Sequence, residues 1–497
     1  MAWWSRKKPE SEPVRVSPPM RRRSYAAAEN MARYNDFKVS SGSADAELQL
    51  GLTKLRGKAR ALDRNSSAMV RFLKLLEINV VGTAGFQFKC RVRKQDGTMD
   101  NSLNERVEMA WWKWCQRPTC DGQMTMVDFL VQMAITHARD GEFLFEIVRD
   151  PRFPDGIALN PLEADMLDEN LNYGFLPNGN QIKMGVEIDP YGKPVAYHML
   201  TVHPGDSSWN QRTEKDRWRR VPAERIVHIY QRRRPGQTRG QPVASAVVNP
   251  IKMLDGYREA ETMGRRLMAA QGGFIETEMG AASTIDALAD GRETEDEDSD
   301  LIMNVEPGVI RSLKQGQKFK EFNPGGQVSD YQQFEGQIKK DIASGLGISV
   351  MSHGMETSGI SYSSGRTVTI EDRDFYKSQQ RFLIDNGMEK IFAAWAMSHS
   401  VSETPSFPPS RMQAVMDWHS FRGRGWDWVD PAKDIKANVE ALRTRQTSLS
   451  AVAASRGIDI RDLLAEIAED EAMLKEFNLT LTTDPPKPKV TPDAKPA

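Results

Sequence analysis

The chain has 497 residues, of which 39% are hydrophobic and 27% charged, with a mean hydropathy of −0.55. That length exceeds the roughly 250–300 residues at which a single hydrophobic core stops growing, so two or more folding units are expected. With 67 basic and 68 acidic residues the net charge is −1. A globally basic, histone-like nucleic-acid binder is thereby excluded, and any contact with phosphates has to come from local patches.

Residues 1–23 set Arg6, Lys7, Lys8, Arg15 and Arg21 to Arg23 among prolines and read as a disordered basic arm. Met1 to Glu10 lacks the apolar core of a signal peptide. From Leu48 the apolar residues recur at helical spacing through Leu52, Leu55, Ala59 and Leu62, and Asn65 or Ser66 can cap a second helix carrying Met69, Phe72, Leu73 and Leu76. The period then changes to two at Phe86, Phe88, Cys90 and Val92, a strand signal. A helix through Val107 and Trp111 follows, and then a capping-box pattern at Thr125 and Asp128 ahead of Leu130 and Ala134. Phe143, Phe145 and Ile147 alternate as a strand. Val186–Ile188 and Val195–Val202 flank a turn at Tyr191-Gly192, and Ile226–Tyr230 is a further strand. Helices followed by hairpin-linked strands predict an α+β fold.

Residues 247–271 read as one helix, stopped by Gly272-Gly273, and a second helix carries Tyr331, Phe334, Ile338, Ile342 and Leu346 up to Gly345 to Gly347. Each has an apolar stripe and needs a packing partner. The simplest arrangement is an antiparallel pair with a small module at its tip. That module contains an acidic run from Asp286 to Asp300, which repels itself and reads as a loop. Ile348 to Ser361 is rich in Ser, Gly and Met and also reads as a loop. A long helix starts near Ser364, with Phe375, Phe382, Ile391 and Trp395 inward. Asp430-Pro431 opens the last helical region, with Ile435, Val439 and Leu442 on one face, and Asp459 caps a helix bearing Leu463, Leu464 and Ile467. Asp484 to Ala497 is a Pro/Lys-rich tail. No run approaches the roughly 18 apolar residues of a membrane span.

Catalytic and cofactor patterns are not found. Gly51 to Lys58 imitates a phosphate loop, but five residues separate its glycines and Ala59 stands where a Ser or Thr would hold magnesium. There is no HExxH and no GxSxG, and the seven histidines are scattered. Cys90, Cys115 and Cys120 are too few for a disulfide framework or a four-ligand zinc site and read as reduced structural thiols. No cofactor or metal is implied. The stretch 209–240 concentrates Arg217, Arg219, Arg220, Arg225, Arg232 to Arg234 and Arg239. Guanidinium groups suit phosphate contact, but a solvated face or an intersubunit salt-bridge surface is the favoured reading. Arg265-Arg266 and Lys339-Lys340 lie on the two central helices. Repeated around a ring they would become circles of charge that touch phosphates without reading bases.

Several segments together resemble the lambda-type portal proteins of tailed bacteriophages. They are Arg60–Gly82 (RALDRNSSAMVRFLKLLEINVVG), Gly185–His198 (GVEIDPYGKPVAYH), Val221–Pro242 (VPAERIVHIYQRRRPGQTRGQP), Glu306–Pro324, Ile342–Gly347 (IASGLG) and Tyr362–Arg366 (YSSGR). The resemblance runs from about Ser24 to Thr480 and rests on their order and spacing.

The resemblance implies a portal fold in a dodecameric ring at one capsid vertex of the virion, assembled in the host cytoplasm. Residues 24–246 would be an α/β wing, 247–271 and 329–347 the stem helices, and 272–328 a clip between them. Residues 348–361 would be a tunnel loop, 362–429 a wing return helix and connection, 430–480 an α-helical crown and 481–497 a flexible tail. Double-stranded DNA would pass without sequence reading, with Ser352, Met355, Thr357 and Ser358 as loop candidates. Arg265, Arg266, Lys339 and Lys340 would form the stem rings, and Tyr362, Ser363, Ser364 and Arg366 the motif after the loop. The implied partners are the terminase large subunit at the clip, the major capsid or scaffolding protein and a head-completion adaptor, without membrane and without enzymatic activity. Two alternatives stand beside it: a metal-dependent packaging nuclease using the acidic run, and another capsid connector component.

Overall fold

The computed structural model describes residues 42–206, 217–269, 273–277, 317–321, 328–354, 361–426 and 430–477. Helix α1 (Ala44–Gln49) and helix α2 (Leu52–Asn65) are separate, because the chain turns at exposed Leu50 and Gly51 where the periodicity had suggested one helix. Buried Ser66, in extended backbone, then breaks α2 from α3 (Ser67–Leu76). That helix buries Met69, Phe72, Leu73, Leu75 and Leu76 and widens into a π-turn, Glu77–Val81, closed by Gly82 at φ 69°. Strand β1 (Gln87–Cys90) leads to α4 (Asn101–Cys115), capped by Asp100. Helix α5 (Met126–Asp140) opens on a complete capping box, in which Thr125 accepts from the Asp128 amide and Asp128 from that of Thr125. It stops at Gly141 with φ 89°, the left-handed conformation glycine takes without penalty.

Strand β2 (Glu142–Arg149) is the centre of a three-stranded antiparallel sheet. Its neighbours are β3 (Ile157–Leu162) and, much later in the chain, β8 (Ile226–Tyr230). Between them β4 (Gln181–Lys183), β5 (Val186–Ile188), β6 (Pro194–Leu200) and β7 (Trp218–Pro222) form a four-stranded meander, with β5 and β6 joined around Tyr191-Gly192 as the hairpin pattern predicts.

Helix α6 (Val248–Ala269) is followed by β9 (Gly273–Thr277), which pairs antiparallel with β10 (Gln317–Glu321), Gly273 opposite Glu321. Helix α7 (Val328–Leu346) then returns along α6. Val247 lies beside Gly345, Tyr257 packs on Phe334, and the guanidinium of Arg265 sits over Tyr331. Numbers rise on one rod as they fall on the other, so the pair is antiparallel. The segment after α7 is not all loop: Val350–Gly354 is a short helix, α8. Helix α9 (Tyr362–Leu383), a π-turn at Ile384–Met388 and α10 (Glu389–His399) form one long rod. After α11 (Met412–Asp417), β11 (His419–Arg422) pairs back onto β1, more than three hundred residues earlier. Helices α12 (Pro431–Arg443), α13 (Leu449–Ser455) and α14 (Ile460–Glu476) end the described chain.

Two apolar clusters hold these parts, a large one among the helices, β1 and β2 and a smaller one under the meander, with Leu167, Val186, Tyr197 and Val221. Phe88 of β1, Trp111 of α4, Phe392 and Trp395 of α10 and Phe421 of β11 form an aromatic cluster with ring centroids 4.7–6.0 Å apart. Length alone predicts division. Among the described residues, those from Ala44 onward group together, and the α9–α10 rod and β11 contribute to the core begun by the first helices.

Candidate functional site

The arginine-rich segment around β7 and β8 is where sequence and structure diverge most. Of the residues assigned there to a basic surface, Arg239 is fully buried. Its guanidinium donates to Glu142 at 2.5–3.1 Å and to the backbone carbonyls of Ala164, Leu167 and Met184 at 2.9–3.0 Å. Arg56 of α2 reaches the same carboxylate at 2.6 Å, His228 lies 3.0 Å from it, and the Gly240 amide donates to it at 2.8 Å. Burial pushes the Glu142 carboxyl up, but Arg239, Arg56 and His228 overrule it and hold it well below the usual carboxylate range.

The turn that delivers Arg239 is built by its neighbours. The Gln237 side chain accepts from the Arg233 and Arg234 amides and donates to the Arg239 carbonyl, and the Thr238 amide donates to Asp45 at 2.8 Å. A Cβ at Gly240 would stand 2.0 Å from the Gly141 carbonyl oxygen, so only glycine permits this crossing. The segment RPGQTRG is thus an internal clasp.

Three of the other arginines reach buried carboxylates from half-exposed positions. Arg219 and Arg225 each reach Glu146 of β2 at 2.6 Å, and Arg220 reaches Glu187 of β5 at 2.8 Å. The Arg220 guanidinium holds Glu187 down to about 2, helped by Asn180 and His198. Glu142, Glu146 and Glu187 are all buried inside strands, and each requires a cation. The surface reading is corrected for Arg239 alone: Arg219, Arg220 and Arg225 pair within the chain but keep half-exposed side chains, and Arg232 to Arg234 are exposed, as a solvated face has them. The missed signal was the trio of acids placed among apolar strand residues.

The helix pair is braced by Arg258, which donates to Glu335 at 2.7 Å, and by Tyr257, which stacks on Tyr331 at 5.5 Å. Of the four charges singled out there, Arg265 pairs with Glu261 on its own helix and Lys339 with Glu335, while Arg266 and Lys340 are exposed. Met253, Met263 and Phe334 are 65%, 53% and 45% exposed, so the pair leaves apolar surface uncovered.

Just after α7, Ser352 is anchored in α8, a correction to the loop reading. Its hydroxyl bonds Asp372 of α9, its amide donates to the Ser349 hydroxyl, and its carbonyl accepts from Arg71 at 3.0 Å. Asp372 also accepts from the Ser349 amide and hydroxyl, which ties α8 to the long rod. Met355, Thr357 and Ser358 lie outside the described residues, as does the acidic run 286–300. The YSSGR segment starts α9. Ser361 caps it by accepting from the Ser364 amide, Tyr362 and Ser363 are exposed, the Lys433 ammonium sits over Tyr362, and Arg366 pairs with Asp434 of α12 at 2.6 Å.

Glu163, Asp165 and His203 bring three possible ligand atoms within 4.8 Å of one another. Arg60 already neutralises Asp165 at 2.5 Å. The His203 Nδ1 accepts from the Gly205 amide, which leaves the proton on Nε2, facing Glu163 at 3.1 Å. In that tautomer the lone pair of the ring faces the Gly205 amide and not the carboxylates, so the three side chains do not converge as metal ligands.

A family model described as phage portal protein, lambda family, matches residues 31–380. The probable portal protein of Halomonas phage phiHAP-1 is 31% identical over 477 residues, covering 95% of this chain and 90% of that protein. Portal protein B of Escherichia phage lambda is 21% identical, covering 86% and 85%. Among solved structures, one of the virion of a native gene transfer agent particle is similar over 82% of this chain and 93% of its own at 14% identity, with a TM-score of 0.43. A HK97 family phage portal protein from Corynebacterium diphtheriae is similar over 77% and 98% at 12% identity, with a TM-score of 0.33. Scores at that level add no weight to the sequence match. On the family match and the relative in phage phiHAP-1, the chain belongs to the lambda family of phage portal proteins and has the role of a capsid portal in DNA packaging.

Proposed function

We propose that twelve copies close into a ring at one capsid vertex, with α6 and α7 as the stem around a channel for double-stranded DNA. The observation that carries this reading is the half-covered helix pair. It is braced internally by Arg258–Glu335 and Tyr257–Tyr331, yet Met253, Met263 and Phe334 remain exposed. Neighbouring pairs in a ring cover such stripes, which a lone pair cannot do.

In this reading the β9–β10 ribbon is the base of the clip, where the terminase large subunit docks during packaging and a head-completion adaptor later. The wing meets the major capsid or scaffolding protein, and assembly takes place in the host cytoplasm. The protein works without catalysis. Residues 355–360, held between anchored α8 and capped α9, face the DNA with Met355, Thr357 and Ser358, while Ser352 fixes the root of the loop. Arg266 and Lys340 are the stem charges free of contacts among the described residues and the better candidates for phosphate contact. Arg265 and Lys339 are partly neutralised by Glu261 and Glu335.

Negative-stain imaging and mass photometry of the purified chain test the ring: twelvefold particles with a central hole are expected, and a stable monomer at micromolar concentration overturns the reading. Deleting Met351 to Ser358 is expected to leave rings intact and impair DNA packaging or retention. Loss of ring assembly on that deletion would make the segment architectural.

A further inference from the structure

The last helices leave apolar surface bare on opposite-charge backgrounds. No residue of α12 is buried, and Ile435 and Val439, one turn apart, are 45% and 57% exposed. On α14, Leu464, Ile467, Met473 and Phe477 are 54%, 43%, 51% and 69% exposed. A helix this short of tertiary contact is marginal in water. What holds each one is at its first turn: Asp434 of α12 pairs with Arg366, and Asp459, which caps α14, pairs with Arg91 and Arg422.

The two helices differ in charge. Helix α12 carries three basic residues (Lys433, Lys436 and Arg443) against Asp434 and Glu440, whereas α14 carries six acids against Arg461 and Lys475. On α12, Lys436 and Arg443, the latter 3.7 Å from the Glu440 carboxylate on its own helix, flank the Ile435–Val439 stripe. On α14, Glu466 and Asp470 flank Leu464–Ile467. Within one chain the two stripes do not cover each other, since both stay exposed. A second copy supplies each with the apolar face and the opposite charge it lacks.

We infer that α12 of one copy docks on α14 of the next, a head-to-tail seam in which the Ile435–Val439 stripe meets Leu464–Ile467 between rows of opposite charge. The contact is heterologous: it uses two different patches and leaves one of each free on every copy, so it repeats around a closed circle. It rests on the ring reading and names which surfaces close the ring at this end.

The test uses full-length protein carrying Val439→Cys and Ile467→Cys, oxidised after mass photometry has established the assembly state. A ladder of covalent multimers is expected, and a mixture of variants that each carry one of the two introduced cysteines beside the native Cys90, Cys115 and Cys120 should give dimers alone, with the unsubstituted protein as the control that does not link. Lys436→Glu with Arg443→Glu should cut the linking yield roughly tenfold, and Glu466→Lys with Asp470→Lys should restore it. A fast-migrating monomer, linked within one chain, would overturn the inference, as would assembled rings that do not link. In the latter case the ring stands and only the seam falls. If the unsubstituted protein never assembles, both fall.

Discussion

Arg239 and Glu142 meet where no water reaches, both with fully buried side chains and 2.5 Å apart. Between them they join strand β2, the Ala164–Leu167 turn and the clasp after β8. Removing one partner of such a pair leaves the other charge unpaired in the interior, which costs about 3–5 kcal/mol. Arg239→Lys is expected to fail nearly as badly as Arg239→Ala, because an ammonium cannot span the carboxylate and three carbonyls at once. Urea unfolding followed by tryptophan fluorescence measures this. A midpoint for Arg239→Lys within 0.2 M of the parent would refute it.

Gly345 lets the stem helices close at their base. A Cβ there would lie 2.3 Å from the Val247 side chain. Gly345→Ala should destabilise the pair by about 1–3 kcal/mol through overpacking, and Val247→Ala in the same chain should return most of that loss. Additive losses in the double variant, read by thermal melting, would show that the two positions are not in contact.

Asp372 ties α8 to α9 by accepting from Ser349 and Ser352. Asp372→Ala should cost about 1–3 kcal/mol locally, since it leaves buried donors unsatisfied. Amide exchange in residues 350–354 is expected to accelerate while exchange in α5 is unchanged. Unaltered exchange in α8 would mean that Arg71 alone suffices to hold it.

His137 packs on the Phe382 ring at 5.0 Å, and burial pushes its imidazole down to about 4, with Arg233 acting the same way. The unfolded chain takes up this proton below about 6.5, the folded chain only below about 4. Its contribution is therefore complete above pH 6.5 and is lost as pH falls toward 4, by at most about 1.4 kcal/mol per pH unit. Buried His228 is shifted the same way and adds to the slope. His137→Leu should flatten the stability profile between pH 6.5 and 5, and an unchanged slope in denaturant titrations would count against this assignment.

Much of the local architecture was legible because it depends on short-range chemistry. The Thr125–Asp128 capping box, the hairpin around Tyr191-Gly192 and the stripes on α6 and α7 are set by neighbours a few residues apart, and the order of the family segments identified the lambda-type portal proteins. What the chain alone left open depends on contacts between distant residues. Arg239 reads as one more surface arginine until Glu142, 97 positions away, is placed beside it. Ser352 reads as loop until Asp372 reaches across from the next helix. The partnership of β1 with β11 joins opposite ends of the chain. Periodicity reports which side of an element is apolar, and it carries no information about what that side will meet. A buried charge is assigned only when its counter-charge arrives through the fold, and tertiary structure alone could decide that Arg239 of this portal protein turns inward while its neighbours in the segment stay at the surface.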